Sequence, residues 1–392
     1  MPETRDVVIV GGGVIGSACA YFLAASPDFS GTVTVIERDS TYQTSSTARS
    51  AGGIRQQFST PENIRMSQFA VAFLEASHST LAIDGESPEL PFATNGYLLL
   101  ATENGIPILE NNVDIQGREG AETRLLSPDD LRQQFPWLNT NDIAGGSFGG
   151  GHEGWTDPYA LMQAFKRKAR QLGVTYREDT VTNATRAGQF VTSVSLASGE
   201  TVSCGILVNA AGPFARDLTR MVGLELPVAP RKRFVFVFDC RDAPDDCPLT
   251  VDPSGLYFRP EGQTFICGKS PNPQEDPDCI DLEVDHNFFD EHLWPLLAHR
   301  VPAFEAIKVL NSWAGLYAYN TLDQNAIVGS HPDITNMIFA NGFSGHGLQQ
   351  SPAIGRAVSE LVSHGSFQTL DLSRFGVERV ITGAPLPETN VI

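Results

Sequence analysis

Residues 6–16 read Asp-Val-Val-Ile-Val-Gly-Gly-Gly-Val-Ile-Gly, an apolar run that ends in three glycines and continues to a fourth. Such a run is typical of a strand buried on both faces. Small residues at 16–20 favour a helix over residues 14–25 that packs closely on a sheet, and residues 32–36 form a second apolar strand. Together these elements predict one βαβ unit.

The glycines of this unit fit the GxGxxG pattern of dinucleotide-binding proteins. Gly11 would make the turn, Gly13 would let a pyrophosphate approach the backbone, and Gly16 would pack helix on strand. Glu37 ends the second strand 21 residues after Gly16, where an acid accepts from ribose hydroxyls. The pattern predicts a bound dinucleotide without distinguishing FAD from NAD. Its candidate contacts are Gly11, Gly13, Val14, Ile15, Gly16, Glu37 and Arg38.

The segment Ser45–Ile54, Ser-Ser-Thr-Ala-Arg-Ser-Ala-Gly-Gly-Ile, combines hydroxyls and a cation with small residues. Hydroxyls and Arg49 suit an anionic pyrophosphate, and Ala51-Gly52-Gly53 would let a flat ring lie on the backbone. A solvated Ser/Thr loop is the alternative interpretation. The candidate contacts here are Ser45, Ser46, Ala48, Arg49, Ser50, Ala51, Gly52 and Gly53.

This segment resembles the amine-oxidising flavoprotein family that includes D-amino acid oxidase, glycine oxidase, sarcosine oxidase and dimethylglycine dehydrogenase. The resemblance continues in Asn209-Ala210-Ala211-Gly212 and in the glycine-rich turn at 342–348. It implies that the helix after this turn points at the flavin, where its dipole would stabilise the reduced ring. The further FAD contacts it implies are Val181, Ala210, Ala211, Gly212, Gly342, Phe343, Ser344, Gly345, His346, Gly347 and Leu348.

The predicted fold class is α/β, with a Rossmann-type FAD-binding domain and an inserted antiparallel-sheet α+β substrate domain. A chain of 392 residues exceeds one ordinary core. Between about 227 and 320 the sequence becomes rich in strands and in Pro- and Asp-containing loops. We therefore expect a discontinuous FAD domain over 1–90, 150–226 and 320–392, and a substrate domain over 91–149 and 227–319.

Composition excludes several classes of protein. A net charge of −19 opposes binding to nucleic acid or anionic membrane. No apolar stretch is long enough to span a bilayer, and the first strand leaves no room for a leader, so a cytoplasmic location is expected. Six cysteines without a CxxC pair suggest neither a disulfide framework nor zinc. No metal site is predicted, although His292 and His299 could share a helix face.

The resemblance implies a reaction: hydride transfer from the carbon beside an uncharged amine nitrogen to flavin N5, giving an imine that water hydrolyses. Family members tether FAD through a His where this chain has Arg49, or through a Cys near Gly315 or Leu316. Neither tether is present, so FAD is expected to be non-covalent. Monomeric sarcosine oxidases place a Lys over the flavin where this chain has Ile266. Lys269 is expected on the opposite face of the strand, so a dehydrogenase is favoured over an efficient oxidase.

The substrate would be a small secondary (N-alkyl) amine or a D-amino acid, with oxygen or another acceptor taking the electrons. Arg55 and Arg259 are candidates for holding a carboxylate, although each could instead form a structural salt bridge. Tyr257, Tyr317, Tyr319 and His346 are candidates to line the pocket, although aromatic residues on strands are often packing. Gln349 replaces a Lys of monomeric sarcosine oxidases, which argues against sarcosine itself.

A second resemblance, over almost the whole chain, is to mitochondrial FAD-dependent oxidoreductases that assist assembly of respiratory complex I. It is carried by Gly52-Gly53-Ile54, by Gln56–Ser59, by Pro61–Ile64 and by residues 342–350. It implies an alternative function, a flavin-bearing assembly or electron-transfer partner of a respiratory complex.

Overall fold

The computed structural model describes residues 6–389, apart from the side chain of Pro273. The helices, in chain order, are α1 (Val14–Ala25), α2 (Pro61–Thr80), α3 (Ile106–Arg118), α4 (Pro128–Gln134), α5 (Pro158–Gln171), α6 (Ala215–Arg220), α7 (Trp294–Arg300), α8 (Gly347–His364) and α9 (Glu378–Thr382). The strands are β1 (Val7–Val10), β2 (Val33–Glu37), β3 (Gly53–Ile54), β4 (Phe92–Ala93), β5 (Tyr97–Ala101), β6 (Thr123–Leu126), β7 (Gly145–Gly149), β8 (Gly154–Thr156), β9 (Thr175–Glu178), β10 (Val181–Ala187), β11 (Phe190–Leu196), β12 (Thr201–Ser203), β13 (Ile206–Asn209), β14 (Val228–Cys240), β15 (Leu249–Val251), β16 (Leu256–Glu261), β17 (Thr264–Lys269), β18 (Ile307–Asn320), β19 (Ile327–His331) and β20 (Ile334–Asn341).

The first sheet has the strand order β19-β20-β13-β1-β2-β9 and is parallel except at β19. Within β1, Val7 and Ile9 join one apolar cluster with residues of α1 and α8, whereas Val8 and Val10 join a second cluster on the other face. The predicted βαβ unit and the burial of its first strand on both faces are confirmed.

The second sheet has the order β18-β14-β17-β16-β15-β5-β7-β6 and is antiparallel except between β15 and β5. Its strands come from residues 97–149 and 228–320. One face contributes Phe236 and Phe258 to an apolar cluster that also includes Leu297 of α7. The predicted mixture of a Rossmann-type sheet and an antiparallel sheet is therefore observed.

Helix α8 begins at Gly347, inside the glycine-rich turn at 342–348. Pro352 lacks an N–H and would leave the carbonyl of Leu348 without its usual helical partner. The hydroxyl of Ser351 donates to this carbonyl at 2.8 Å. The first turn thus tolerates the proline, and the helix N-terminus lies within the glycine-rich turn.

Several features bear on the classes of protein considered above. Among the helices of residues 6–389, none combines the length and apolar character needed to cross a bilayer. The same residues hold no cluster of three or more His, Cys, Asp or Glu side chains arranged to bind a metal ion. All six cysteines are free thiols, and all but Cys279 are buried.

Candidate active site

A cavity of about 1760 Å³, its open mouth included, lies between the two large sheets. Its lining includes Glu37 of the first sheet and Leu249 and Tyr257 of the second. The predicted site residues that line it are Gly11, Gly13, Val14, Ile15, Glu37, Arg38, Ser45, Ser46, Arg49, Ser50, Ala51, Gly52, Gly53, Arg55, Ala210, Ala211, Gly212, Tyr257, Tyr317, Phe343, Ser344, Gly345, His346, Gly347 and Leu348.

The turn between β1 and α1 is built from glycines for two separate reasons. Gly11 has φ +100°, and a Cβ there would lie 2.3 Å from the carbonyl oxygen of Ala210. A Cβ on Gly16 would lie 1.9 Å from the carbonyl oxygen of Gly11. Gly16 does not line the cavity, but it lets α1 approach the turn that does, as its predicted packing role requires.

Glu37 stands at the end of β2 with its carboxylate fixed by the backbone. Oε2 accepts from the N–H of Gly12 at 2.7 Å, and Oε1 accepts from the N–H of Asp39 at 3.0 Å. Arg38 beside it places its guanidinium 3.7 Å from the ring centre of Phe214. The carboxylate is thus held at the cavity edge, where a ribose hydroxyl could donate to it.

The loop from Ser45 to Gly53 is tied to the start of α1. Thr47 Oγ1 accepts from the N–H of Val14 at 3.0 Å. Arg49 donates to the carbonyls of Gln43 at 2.6 Å and Ala314 at 2.7 Å, so it anchors the loop as well as lining the cavity. Ser46 Oγ is buried without a hydrogen-bond partner in the described chain. A buried orphan hydroxyl in the cavity wall fits a phosphate oxygen of FAD.

The turn before α8 forms the opposite wall. Gly345 has φ +99°, and a Cβ there would lie 2.7 Å from the ring of Tyr317, so only glycine allows this approach. The N-terminus of α8 at Gly347 lies in the cavity lining. Backbone N–H groups at this position suit negative charge on a reduced flavin.

Arg55 and His346 form a buried polar pair in the lining. The Arg55 guanidinium lies 4.5 Å from the ring centre of Phe58, and its Nη2 is 3.3 Å from His346 Nε2. Burial, and secondarily the charge of Arg55, hold the pKa of His346 well below its usual range. Since arginine can only donate, the neutral His346 accepts at Nε2. The pair presents one fixed positive charge to the cavity.

Three phenols surround this end of the cavity: Tyr97, Tyr257 and Tyr317. Burial raises the pKa of Tyr97 and raises that of Tyr257 well above its usual range. Both hydroxyls therefore stay protonated and can donate to an anionic or carbonyl oxygen.

Arg259, the second predicted carboxylate ligand, is placed differently. Its Nε donates to the carbonyl of Ala51 at 2.8 Å, its Nη1 donates to the carbonyl of Pro260 at 2.7 Å, and it pairs with Glu261. It is buried but does not line the cavity. Arg259 supports the loop that contains Ala51. Its place outside the lining does not favour a role in binding substrate, and that role stays a prediction.

Some predicted contacts lie outside the lining. Ala48 N donates to Ser45 Oγ within the loop, and Val181 packs on the far side of the first sheet at the start of β10. Gly342 packs near Asn320 and Val228, and Tyr319 lies near Arg231 and Arg233. Beside Ala48, Gly342 and Tyr319, the adjoining residues Thr47, Phe343 and Ala318 line the cavity instead, whereas neither neighbour of Val181 does.

The expectation for Ile266 and Lys269 also needs correction. Lys269 contributes to the lining, whereas Ile266 is buried and does not. A Cβ on Gly268 would lie 2.6 Å from the hydroxyl of Tyr257, so this ring covers β17 on its cavity side. The ammonium of Lys269 donates to the carbonyl of Ser254. Ser254 is not part of the lining, so the charge is directed to the turn before β16.

Several lining residues were not predicted from the sequence. Thr47 could have been found from the Ser/Thr-rich loop, and Phe214 from its position after Gly212. Tyr97 and Leu249 face each other across β5 and β15, which are far apart in sequence. No local pattern signals such a pair, nor does one signal Arg233, which lines the cavity while bonded to Asp276.

Comparisons with known proteins agree with this site. FAD-dependent oxidoreductase domain-containing protein 1 of Xenopus laevis is 46% identical over 426 residues, covering 100% of this chain and 85% of its own. Human mitochondrial dimethylglycine dehydrogenase is 25% identical, with 95% of this chain matching 45% of its length. A crystal structure of L-proline dehydrogenase from P. horikoshii has a TM-score of 0.87 at 25% identity, covering 98% of this chain and 100% of that one.

The family model described as DAO, FAD dependent oxidoreductase, matches residues 6–361. The glycine turn, the fixed Glu37 carboxylate and the orphan Ser46 hydroxyl fit the cofactor of that family. This chain belongs to the DAO family of FAD-dependent oxidoreductases and uses FAD as its cofactor.

Proposed function

We propose that this protein oxidises the C–N bond of a small secondary (N-alkyl) amine or a D-amino acid that carries a carboxylate. The observation that carries the proposal is the buried Arg55 guanidinium in the cavity lining, beside neutral His346 and the phenols of Tyr257 and Tyr317. An arginine fork binds a carboxylate through two parallel hydrogen bonds. A buried cation of this kind selects for an acid group on the substrate.

Bound FAD supplies the acceptor for the hydride that leaves the carbon beside nitrogen. The chain's own residues bind and orient the substrate and exclude water. Arg55 would hold the carboxylate, and the protonated hydroxyl of Tyr257 would donate to it or to the nitrogen. His346 already accepts from Arg55, so we assign no strong base and expect the amine to react in its uncharged form. The imine product then hydrolyses.

We further propose that the protein acts as a dehydrogenase rather than as an efficient oxidase. Reduction of oxygen begins with superoxide, and a nearby fixed cation stabilises that charge. The cation in question is the Lys that monomeric sarcosine oxidases carry where this chain has Ile266, which offers no charge, and the nearby Lys269 directs its ammonium to the carbonyl of Ser254, outside the lining. The charge of Arg55 is assigned to the substrate carboxylate. The non-covalent state of FAD, the cytoplasmic location and the division into the two predicted domains stay predictions from the sequence.

The test is anaerobic mixing of the FAD-loaded protein with proline, N-methyl amino acids and D-amino acids, following the oxidised flavin absorbance. We expect at least one of these to bleach it. The Arg55→Lys variant should need about 10 to 100 times more substrate for half-maximal reduction of the flavin, because a charged, bidentate hydrogen-bonded contact is lost. The matched control Arg65→Lys changes an exposed arginine on α2 and should behave as the wild type. A flavin that no member of the panel reduces would overturn the proposal.

The alternative function is that of a flavin-bearing assembly or electron-transfer partner of a respiratory complex. Its support is the sequence resemblance together with the 46% identity to a relative named only for its FAD-dependent oxidoreductase domain. Capture of respiratory-complex subunits by a protein whose flavin no amine reduces would favour this alternative.

A further inference from the structure

The carboxylate of Glu153 contacts residues 55–57, the Arg55 segment, from outside the main cavity. Glu153 is 2% exposed and immediately precedes β8. Its Oε1 accepts from the N–H of Gln56 at 2.7 Å, and its Oε2 accepts from Nε2 of Gln57 at 2.7 Å. A Cβ on Gly149 would lie 2.3 Å from this carboxylate, so the neighbouring strand β7 leaves room for it. Glu153 thus bonds both residues that follow Arg55.

The orientation of the Gln57 amide is fixed by its other partners. Nε2 also donates to the carbonyl of Tyr97 at 2.9 Å, and Oε1 accepts from Ser147 Oγ at 2.5 Å. The nitrogen must therefore face Glu153, and Glu153 must accept from two donors at once. Only a deprotonated carboxylate accepts at both oxygens without presenting a hydrogen.

The Arg55 segment is held on both sides by these contacts. At the start of the segment, the backbone N–H of Arg55 donates to Gln349 Oε1 at 2.8 Å. At the end of the segment, the carbonyl of Gln57 accepts from the side-chain Nε of Arg55 at 3.4 Å. A shift of Gln57 would therefore move a hydrogen-bond partner of the Arg55 guanidinium itself.

We propose that Glu153 is a positioning residue that, through Gln56 and Gln57, fixes the Arg55 guanidinium for the carboxylate of the substrate. This inference rests on the proposed function, since it assigns a substrate group to Arg55. Glu153 does not touch the main cavity; it lines a smaller one together with Glu75, Glu122 and His152.

The ionisation of Glu153 links this arrangement to pH. Burial raises the pKa of Glu153 to about 7, although the bonds from Gln57 and Gln56 and the charge of Arg55 act in the opposite direction. Tyr97 on β5 also faces it, as do the polar groups of the smaller cavity. A protonated Glu153 would turn a hydrogen toward one of its two donors, so the Arg55 segment should loosen as pH falls through this value.

The test measures binding, not turnover: titration of the FAD-loaded protein with benzoate and with neutral benzamide, followed by the flavin absorbance change. Glu153→Gln should weaken benzoate about tenfold, because small displacements of a positioned group cost this much or more, and should leave benzamide unchanged. Glu122→Gln removes a charge from the same smaller cavity without touching the Arg55 segment and should match the wild type. In the wild type, benzoate should bind more weakly below about pH 7, and Glu153→Gln should lose this dependence.

Ser147→Ala is a milder variant that removes only the hydroxyl on Gln57, and it should weaken benzoate about threefold. This variant provides the test if the Glu153→Gln protein cannot be purified with bound FAD. Benzoate that binds equally or more tightly to these variants would overturn the inference, as would a wild type that prefers benzamide. Failure of the proposed function alone is distinguishable, because benzoate binding would respond as described while no amine reduced the flavin.

Discussion

Nη2 of Arg55 lies 3.3 Å from Nε2 of His346, and both side chains are buried in the wall of the FAD cavity. A histidine that accepts from an arginine must be neutral at that nitrogen. The fold therefore holds one imidazole uncharged next to the cation assigned to substrate binding.

The first prediction concerns stability and pH. The pKa of His346 is lower in the folded than in the unfolded state, so a proton binds the unfolded state as pH falls below about 6.5. Folding stability should then fall by up to about 1.4 kcal/mol per pH unit for this group. Replacing His346 by Gln keeps an acceptor for Arg55 and should remove this contribution. Urea unfolding between about pH 8 and pH 5.5 measures it.

The control for that experiment is His78→Gln, which changes an exposed histidine on α2. Identical acid-side slopes for the wild type and His346→Gln would show that His346 is not held neutral in the folded protein.

The second prediction separates Arg259 from substrate binding. Its Nε donates to the carbonyl of Ala51 in the loop that lines the FAD cavity. Arg259→Met should raise the Kd for FAD about tenfold, because a charged hydrogen bond to the half-buried carbonyl of Ala51 is lost. Protein reloaded with FAD should keep its benzoate affinity. Fluorescence titration of FAD into apoprotein gives the Kd, with Arg220→Met at an exposed ion pair as the control. Weaker benzoate binding without a change in the Kd for FAD would instead indicate that Arg259 belongs to the substrate site.

The third prediction concerns oxygen. Because the Lys269 ammonium is bonded to the Ser254 carbonyl, it should contribute little to stabilising superoxide. Lys269→Met should change the rate of reoxidation by less than about twofold, since a charge that is turned away adds little to a local potential. Stopped-flow mixing of reduced protein with air-saturated buffer measures the rate. A drop of an order of magnitude would identify Lys269 as the cation that activates oxygen.

The fourth prediction concerns cofactor attachment. Arg49, Gly315 and Leu316, the positions at which the sequence resemblance implies a tether, line the cavity. None of these side chains can form a flavin bond, so acid precipitation should release all FAD into the supernatant. Yellow colour in the denatured pellet would contradict a non-covalent cofactor and would point to His346, the histidine of the lining within residues 6–389.

Much of the cofactor half of the site could be predicted because its signals are local. Gly11, Gly13 and Gly16 stand at a recognisable spacing between a strand and a helix, although the atoms that a Cβ would meet at Gly11 and Gly13 belong to the distant residues Ala210 and Thr47. The hydroxyls after Ser45 are likewise a local pattern. The sequence alone did not show, however, that the hydroxyl of Ser351 satisfies the carbonyl of Leu348 that Pro352 leaves without a partner.

The substrate half depended on strand order and register. Arg55 and Arg259 are equal candidates by residue type, and only pairing of β16 with β17 and the approach of the loop at Ala51 turned Arg259 into a support. Likewise, Tyr97, Tyr257, Tyr317 and His346 come from β5, β16, β18 and the residue before α8. The sequence by itself determined the βαβ unit and its glycine turn, because the apolar run and the spacing of the glycines are local patterns. Tertiary structure alone decided that Arg55 lines the cavity and Arg259 does not, because that depends on contacts between segments up to about 300 residues apart, which no local pattern records.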